Sequence, residues 1–322
     1  MKPRSQFPVA LNDIRAAARR IESRVLRTPL RYSPWLSARS GADVYLKIET
    51  LQPTFSYKVR GAFNAALALI ERDGTSGPPL VTASAGNHGR ALAHAASVLR
   101  MPLTVYAPEN APRTKLDAIR ASGAILETCR DYDEAEIRAK QHAEAGRATY
   151  ISPYAHPDVI AGAGTIGLEI LSDQPQINRV VVPIGGGGLI SGIAIAVKQS
   201  STSCEVHGVE VEASTPFTHA LAAGHIVKIS VGETLADGLS GNLDPDTITF
   251  DIVRSMVDGI EIVTDRHLVQ AISGLAREEK LIAEGAGAAA TAAVLAYGSG
   301  AGRVAVIISG ANIDVEKLKE LL

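Results

Sequence analysis

One lysine lies among small and hydroxylated residues at the start of a helical run, in the segment TFSYKVRGA at positions 54–62. Most lysines at a helix start are solvated charges, and this segment alone favours that interpretation. A lysine amine inside a cleft can instead attack a carbonyl carbon and form a Schiff base. Which role applies to Lys58 depends on the chemistry that other loops bring to it.

A second segment of interest is SAGNHG at positions 84–89, between a predicted strand and a predicted helix. Backbone N–H groups at a helix start bind anions, and Ser84 adds a hydroxyl. The loop therefore suits a carboxylate or a phosphate. Taken alone it is more typical of a capped turn, with Ser and Asn as ordinary caps and His88 as a structural histidine.

Four consecutive glycines, Gly185 to Gly188, follow the apolar strand 180–184 and precede a helix. Glycine lets the backbone approach a ligand closely and turn several N–H groups toward one oxyanion. The segment lacks both the Gly-Lys-Ser/Thr of a Walker loop and the G-x-G-x-x-G spacing of a dinucleotide site. It predicts phosphate binding, with a tight strand-to-helix turn as the alternative.

The last apolar strand ends at Ser309, in the segment SGAN at 309–312. Ligands of open parallel sheets gather at the carboxyl ends of strands. An amine, a carboxylate cradle, a phosphate cradle and a strand-end hydroxyl together match pyridoxal phosphate, which forms a Schiff base with a lysine and is held by its phosphate. A nicotinamide or ATP enzyme would not need Lys58 at that position.

The composition excludes several other classes of protein. The chain has 322 residues, 46% of them hydrophobic, and a net charge of −2, which allows two domains and argues against nucleic-acid binding. We expect no membrane span and no signal peptide, because no long apolar segment is present. Cys129 and Cys204 lie in no CxxC or CxxH arrangement, which argues against zinc and favours free thiols in a reducing cytosol.

Strands and helices alternate through most of the chain. The first predicted series has strands at 80–83, 103–107, 124–128 and 149–152 and helices at 61–72, 88–100, 113–122 and 132–145. The second has strands at 179–184, 205–211, 260–264 and 304–309 and helices at 189–199, 267–279 and 286–297. This alternation predicts an α/β protein with doubly wound parallel sheets. Boundaries near residues 52 and 150 predict a large cofactor-binding domain of 1–51 with 149–322, and a small domain of 52–148.

Together these segments resemble the fold-type II pyridoxal phosphate enzymes, in particular the threonine/serine dehydratase and serine racemase family. The resemblance covers nearly the whole chain, and its most specific parts are the lysine segment and the SAGNH loop. It rests, in order, on TPL (28–30), LQP (51–53), SYKVRGA (56–62), SAGNH (84–88), IAG (160–162), GGGG (185–188), LADG (235–238) and SGAN (309–312). It implies two doubly wound open-sheet domains of the tryptophan synthase β type, with the active site in the cleft between them.

The resemblance also implies roles for individual residues. Lys58 would carry the cofactor as a Schiff base and act as the base at Cα, and Asn87 would bond the phenolic oxygen. Gly185 to Gly188 would hold the phosphate, and Ser309 would contact the pyridine nitrogen. The remaining roles are substrate contacts for Ser84, Ala85, Asn87, His88 and Tyr154, and places near the ring for Gly238 and Glu284.

The activity that the resemblance implies is a pyridoxal phosphate-dependent ammonia-lyase, which removes water and ammonia from L-threonine or L-serine to give a 2-oxo acid. Serine racemases carry a serine directly before Gly-Asn-His as the acid opposite the lysine, whereas Ala85 stands here. The alternatives are a serine racemase, a β-replacement enzyme of the cysteine-synthesis type, a dehydratase of 3-hydroxyaspartate or aryl-serines, and a phosphate-binding protein without covalent chemistry.

Relatives that bind a divalent cation carry an acidic residue six positions after the residue that matches Glu210. Here that position is Pro216, so the sequence predicts no metal site, with Glu212 as the one alternative ligand. The expected partners are an amino-acid substrate and a second copy of the chain in a homodimer, with neither nucleic acid nor membrane. The expected location is the cytoplasm.

Overall fold

The computed structural model describes residues 7–74, 76–111, 113–200 and 203–322. Within these ranges the strands form two sheets with helices on their faces, which confirms the predicted α/β class. No helix in these ranges is long and apolar enough to cross a membrane. The strands are β1 (Leu30–Tyr32), β2 (Asp43–Ile48), β3 (Leu80–Ala83), β4 (Leu103–Pro108), β5 (Ile125–Cys129), β6 (Thr149–Tyr150), β7 (Arg179–Pro183), β8 (Glu205–Val211), β9 (Gly259–Val263) and β10 (Arg303–Ile308).

Helices connect the strands and cover both faces of the sheets. They are α1 (Leu11–Ile21), α2 (Pro34–Ser40), α3 (Lys58–Asp73), α4 (Asn87–Leu99), α5 (Arg113–Ala121), α6 (Tyr132–Glu144), α7 (Pro157–Asp173), α8 (Gly188–Lys198), α9 (Pro216–Ala223), α10 (Thr249–Met256), α11 (Asp265–Glu278), α12 (Gly285–Tyr297) and α13 (Val315–Leu321).

The larger sheet has six strands in the order β1-β2-β10-β7-β8-β9, parallel except for the edge strand β1. Its central strands are buried on both faces, as apolar parallel strands require. Along β10, Val304 and Val306 join the core beneath α11 and α12, whereas Ala305 and Ile307 join the core beneath α7 and α8. The period-two alternation thus feeds two hydrophobic layers, which makes the sheet doubly wound.

The smaller sheet has four parallel strands in the order β5-β4-β3-β6. Strand β6 pairs with β3, so this sheet extends two residues beyond the small domain that the sequence predicts to end at 148. The strand expected to continue to Ser152 ends at Tyr150. The division into two domains itself stays a prediction.

The sequence prediction does not include α2, α7, α9, α10 or α13, and it places the start of α3 too late. Helix α3, expected from about Gly61, begins at Lys58. The preceding residue, Tyr57, donates its N–H to the carbonyl oxygen of Ser309, directly after β10. Helix α7 was not predicted, because its residues from Val159 to Gly167 are all buried and show no amphipathic period. Glycines let α7 pack closely, and a Cβ on Gly162 would lie 2.6 Å from the carbonyl oxygen of Arg60 in α3.

Candidate active site

The lysine segment is tied to the end of the last strand. The N–H of Tyr57 donates to the carbonyl oxygen of Ser309 at 3.0 Å. Lys58 follows as the first residue of α3, and its Nζ donates to the carbonyl oxygen of Pro153 at 2.7 Å. The predicted amine and the predicted strand-end hydroxyl therefore belong to neighbouring segments at the carboxyl end of β10.

A buried ion network fixes the first turn of α3. Arg60 is fully buried, and its guanidinium donates to both carboxylate oxygens of Glu49 at 2.8 Å and to Glu169 at 2.6 Å. Lys47 donates to Glu169 at 2.5 Å. Burial by itself raises the pKa of Glu49, but Arg60 and Lys47 hold that pKa below its ordinary value. Each buried charge is paired, so the helix that carries Lys58 has a rigid base.

The loop at 84–88 follows β3 and opens α4. The Ser84 hydroxyl accepts a hydrogen bond from the N–H of Gly86 at 3.2 Å and closes the turn. The first N–H groups of α4 have no acceptor within the helix, which leaves them available to an anion. Ala85, Gly86 and Asn87 line a cavity of about 750 Å³. This geometry suits a carboxylate, and the role of the loop as a carboxylate cradle stays a prediction.

The His88 ring is committed to the protein interior. Its Nε2 bonds the carbonyl oxygen of Ile151 at 3.1 Å, which requires the proton on Nε2. Burial, with the charge of Lys58, lowers the pKa of His88 to about 3, so the ring stays neutral. Nδ1 is then an acceptor without a donor among the described residues. His88 can therefore reach a substrate carboxylate only through its backbone N–H.

The glycine loop leads from β7 into α8. Gly187 has φ +86° and caps α8, in a backbone conformation that favours glycine. The N–H groups of Gly185, Gly186 and Gly187 donate to no acceptor in the part of the chain that the structure describes. With the first N–H groups of α8, they form a row of free donors suited to a phosphate.

Tyr154 lies against the glycine loop. A Cβ on Gly186 would be 2.5 Å from Cδ1 of Tyr154, and a Cβ on Gly188 would be 2.7 Å from its carbonyl oxygen. The Tyr154 hydroxyl accepts from the N–H of Asp244 at 3.1 Å, and burial raises its pKa to about 12. The ring therefore supports the loop, while the contact with substrate that the resemblance implies stays a prediction.

The dipeptide Pro153–Tyr154 joins the amine to the glycine loop. Its first carbonyl oxygen accepts from Lys58, and its second residue packs against Gly186 and Gly188. The amine and the glycine loop thus both contact one short segment, which brings a group for an aldehyde and a group for a phosphate into the same region. The residues present fit pyridoxal phosphate.

Asn87 and Glu284 form a pair beside this site, with the Nδ2 of Asn87 donating to Oε1 of Glu284 at 2.5 Å. Burial raises the pKa of Glu284 to about 7, against the opposing effect of the Asn87 amide. Gly310 borders the pair, and a Cβ there would clash with the Glu284 carboxyl. The carbonyl oxygen of Gly238 would lie 3.1 Å from a Cβ on Gly185. Gly238 therefore borders the glycine loop, and Glu284 borders Asn87.

Ser309 is buried at the end of β10. Its hydroxyl makes one long hydrogen bond, 3.4 Å to the carbonyl oxygen of Ala286. A hydroxyl held so weakly is free to turn toward a ring nitrogen. Its contact with the pyridine nitrogen stays a prediction.

The Glu210 carboxylate caps α9. Oε1 accepts from the N–H of Phe217 at 2.7 Å, and Oε2 accepts from the N–H and the hydroxyl of Thr218 at 3.0 and 2.6 Å. Burial raises the pKa of Glu210, and these hydrogen bonds oppose that shift. Among the described residues no group of three or more His, Cys, Asp and Glu side chains is arranged to hold a metal ion.

Two residues of the site, Arg90 and Asn312, have no predicted role. Arg90 donates from Nη1 to Oδ1 of Asn312 at 2.8 Å, and Asn312 donates from Nδ2 to Oδ1 of Asn87 at 2.6 Å. Arg90 lies three residues after Asn87 on the same face of α4, and this spacing is a signal that could have found it. Asn312 stands in the SGAN segment, where only Ser309 received a role.

Comparison with known proteins places this site in a family. A family model described as pyridoxal-phosphate dependent enzyme matches residues 21–310. The chain belongs to this family. The match covers most of the chain, including Lys58, the 84–88 loop and the glycine loop, and confirms the predicted family and cofactor.

Individual relatives cover nearly the whole chain. It is 41% identical to the L-threonine ammonia-lyase of Thermotoga maritima, over 98% of this chain and 78% of that protein. It is 37% identical to the L-threo-3-hydroxyaspartate ammonia-lyase of Saccharomyces cerevisiae, over 96% of this chain and 95% of that protein. The structure of maize serine racemase is similar with a TM-score of 0.91 at 32% identity, covering 98% and 97% of the two chains. The predicted fold and enzyme class are confirmed by these similarities.

Proposed function

We propose that this chain eliminates water from L-threonine or L-serine, and that water then hydrolyses the released enamine to a 2-oxo acid and ammonia, so that ammonia is the net loss. The observation that carries the proposal is the dipeptide Pro153–Tyr154, which bonds the Lys58 amine and packs against the glycine loop. The 41% identity to an L-threonine ammonia-lyase supports the same reaction. The chain's own residues supply binding, orientation and proton transfer.

The residues that would hold the cofactor come from four loops. When bound, pyridoxal phosphate supplies an aldehyde carbon for the substrate's amino group and a conjugated ring that acidifies the Cα proton. Free N–H groups of the glycine loop would bind the phosphate. Asn87 would donate to the phenolic oxygen from the amide hydrogen that Glu284 does not use, and the Ser309 hydroxyl would meet the pyridine nitrogen.

Lys58 is the proposed base. As a free amine, Nζ would be held by the carbonyl oxygen of Pro153, to which it donates at 2.7 Å. From there Nζ would take the Cα proton as a general base. Ser309 is a hydroxyl and cannot keep a proton on the pyridine nitrogen as a carboxylate would. Prompt departure of the β-hydroxyl is therefore favoured.

The loop at 84–88 would orient the substrate by its carboxylate, but it offers no acid at Ala85. Racemisation needs a proton donor on the face of Cα opposite Lys58, and a methyl group has no proton to give. The Ser84 hydroxyl stands one residue before the position of that acid, where it accepts from the N–H of Gly86 and closes the turn. The proposal therefore includes elimination without racemisation.

A second candidate substrate is 3-hydroxyaspartate. Arg90 and Lys115 line the cavity beside Asn87, where a distal carboxylate would meet positive charge. The relative from S. cerevisiae is named for this substrate. L-Threonine remains the first choice, because Arg90 is already bonded to Asn312 and Lys115 is paired with Asp237 at 2.6 Å.

A substrate panel tests the proposal. Purified holoenzyme is given L-threonine, L-serine, L-threo-3-hydroxyaspartate and phenylserine, while ammonia and 2-oxo acids are quantified and residual serine is analysed on a chiral column. We expect 2-oxobutanoate from threonine, pyruvate from serine, a lower kcat/KM for the other two, and no D-serine. Ala85→Ser should introduce some D-serine. Substantial D-serine from the unmodified protein would identify a racemase, and thiol-dependent product without ammonia would identify a β-replacement enzyme.

We also propose that the chain forms a homodimer in the cytoplasm. Cys129 and Cys204 are both buried and unpaired, as is usual in reducing compartments. Light scattering of the purified protein tests the dimer, and a monomer at every concentration would contradict it. Microscopy of a fluorescent fusion tests the location, and fluorescence outside the cytoplasm would contradict it.

A further inference from the structure

The side-chain amide of Asn87 could face the phenolic oxygen of bound pyridoxal phosphate in two orientations. With Nδ2 toward that oxygen it donates a hydrogen bond, whereas with Oδ1 there two acceptors would meet. A chain of three hydrogen bonds decides between them, running from Arg90 through Asn312 and Asn87 to Glu284. The orientation of Asn87 follows from the chemistry of the two ends of this chain.

The neighbours of Asn312 leave its amide only one orientation. The Arg90 guanidinium has donors only, and its Nη1 lies 2.8 Å from Oδ1 of Asn312. The carbonyl oxygen of Thr54 has lone pairs only, and it lies 3.0 Å from Nδ2 of Asn312. A flipped amide would place donor against donor and acceptor against acceptor.

Asn312 transmits this orientation to Asn87. Its Nδ2 lies 2.6 Å from Oδ1 of Asn87, which turns the Nδ2 of Asn87 toward Glu284 at 2.5 Å. That Nδ2 carries two hydrogens, so one remains for a ligand. Glu284 would not select this orientation alone, because burial raises its pKa to about 7 and a protonated carboxyl can donate to an oxygen as well as accept from an amide.

Arg90 is itself held in place. Its guanidinium lies over the ring of Phe55 at 5.2 Å from the centroid. Phe55 has φ +58°, a conformation that a non-glycine residue keeps only where its surroundings hold it. Its carbonyl oxygen accepts from the N–H of Ala311 at 2.9 Å. The loops on either side of the guanidinium are thus bonded to each other.

We propose that Asn312, held by Arg90, is a positioning residue that makes Asn87 a hydrogen-bond donor to the phenolic oxygen of the cofactor. The inference rests on the proposed function, since it requires pyridoxal phosphate at Lys58. Neither Asn312 nor Arg90 needs to touch a reacting atom for this role. Their effect passes through the amide of Asn87.

Three variants separate orientation from simple space filling. Asn312→Asp keeps the size and still accepts from Arg90, but it presents an oxygen to Asn87 and so favours the flipped amide. Asn312→Ala removes the constraint without favouring either orientation, and Arg90→Leu removes the donor that fixes the orientation of Asn312. The control is Arg138→Leu, because Arg138 also lies over an aromatic ring, that of Tyr106 at 5.1 Å, and takes no part in the chain.

The readout is the absorption spectrum of each holoenzyme without substrate. Donation to the phenolic oxygen stabilises the phenolate, which absorbs in the visible range, whereas the neutral phenol absorbs in the near ultraviolet. The ratio of the visible band to the near-ultraviolet band should fall from the unmodified protein through Arg90→Leu and Asn312→Ala to Asn312→Asp. In Asn312→Asp kcat should fall about 10- to 100-fold, the loss of one buried hydrogen bond, with KM less affected. The glycine loop is intact in all variants, so cofactor content should stay stoichiometric.

If Asn312→Asp has the same band ratio as the unmodified protein, or changes it less than Asn312→Ala does, the inference is overturned, since Asn312 would then only fill space. If neither Asn312 variant folds, an unmodified ratio in Arg90→Leu has the same meaning. Arg138→Leu should keep the band ratio of the unmodified protein. A lower ratio in this control would also overturn the inference, because the effect would then not depend on the three hydrogen bonds from Arg90 to Glu284. A colourless unmodified protein would contradict the proposed function itself, which distinguishes the two failures.

Discussion

A Cβ on Gly187 would lie 2.6 Å from Cζ of Phe217, so the glycine loop passes the Phe217 ring without room for a side chain. The φ of +86° at Gly187 excludes most other residues independently. Packing and backbone conformation therefore both require glycine where the free N–H donors converge.

Gly187→Asp should strip the protein of its cofactor. The carboxylate adds like charge beside the phosphate, and its Cβ displaces the loop from the Phe217 ring. Loss of the charged hydrogen bonds should raise the Kd for pyridoxal phosphate about 100-fold. Equilibrium titration of the cofactor measures this. Gly224→Asp is the matched control, because Gly224 has φ +77° and open space around it. Stoichiometric cofactor in Gly187→Asp would show that the phosphate lies elsewhere.

Arg60→Met should destabilise the fold strongly, because it leaves Glu49 as an uncompensated buried charge. The expected loss in the free energy of unfolding is about 3–5 kcal/mol, measured by urea denaturation. Adding Glu49→Gln should recover part of this loss. The control is Arg120→Met, which removes an exposed pair with Asp117 and should lose less than about 1 kcal/mol. Equal losses in Arg60→Met and Arg120→Met would contradict a structural role for the network.

Much of the fold can be predicted from sequence, because buried parallel strands are short apolar runs. The predicted bounds of β3 and β8 are the observed ones. Helix α7 escapes prediction because its residues from Val159 to Gly167 are all buried, so no amphipathic period marks this part of it. Helix α9 was not predicted either, for a different reason. Its N-terminus is stabilised by Glu210 from the end of β8 rather than by a local cap.

The candidate site is predictable to the level of its loops. Strand ends meet at one edge of a sheet, so the glycine loop and Ser309, which follow the neighbouring strands β7 and β10, could be grouped from the alternation alone. Ser84 follows β3 of the other sheet, so its place beside them could not be derived in this way. Hydrogen-bond partners could not be predicted, because they depend on side-chain orientation. The pairing of Asn312 with Asn87, 225 residues apart in sequence, is of this kind.

Glu284 should make stability depend on pH. Its pKa is about 7 in the folded protein against an ordinary value of 4.5, so the folded chain binds more protons than the unfolded chain between these pH values. The free energy of unfolding should therefore fall as pH rises from about 4.5 to about 7, by up to about 3 kcal/mol.

Glu284→Gln should remove this contribution. The difference in unfolding free energy between the unmodified protein and Glu284→Gln, measured with urea across this pH window, isolates it from other groups. Glu316→Gln, at an exposed position of α13, is the control and should show a constant difference. A constant difference for Glu284→Gln as well would contradict a raised pKa.

The covalent role of Lys58 is tested most directly by reducing the holoenzyme with borohydride and mapping the modified residue by peptide mass spectrometry. We expect one pyridoxyl group per chain, on Lys58, and none on Lys47, which is buried and bonded to Glu169. Lys58→Ala should fold, carry no label and have no activity, since the covalent link and the base are lost together. A label on another lysine, or turnover by Lys58→Ala, would contradict the proposed function.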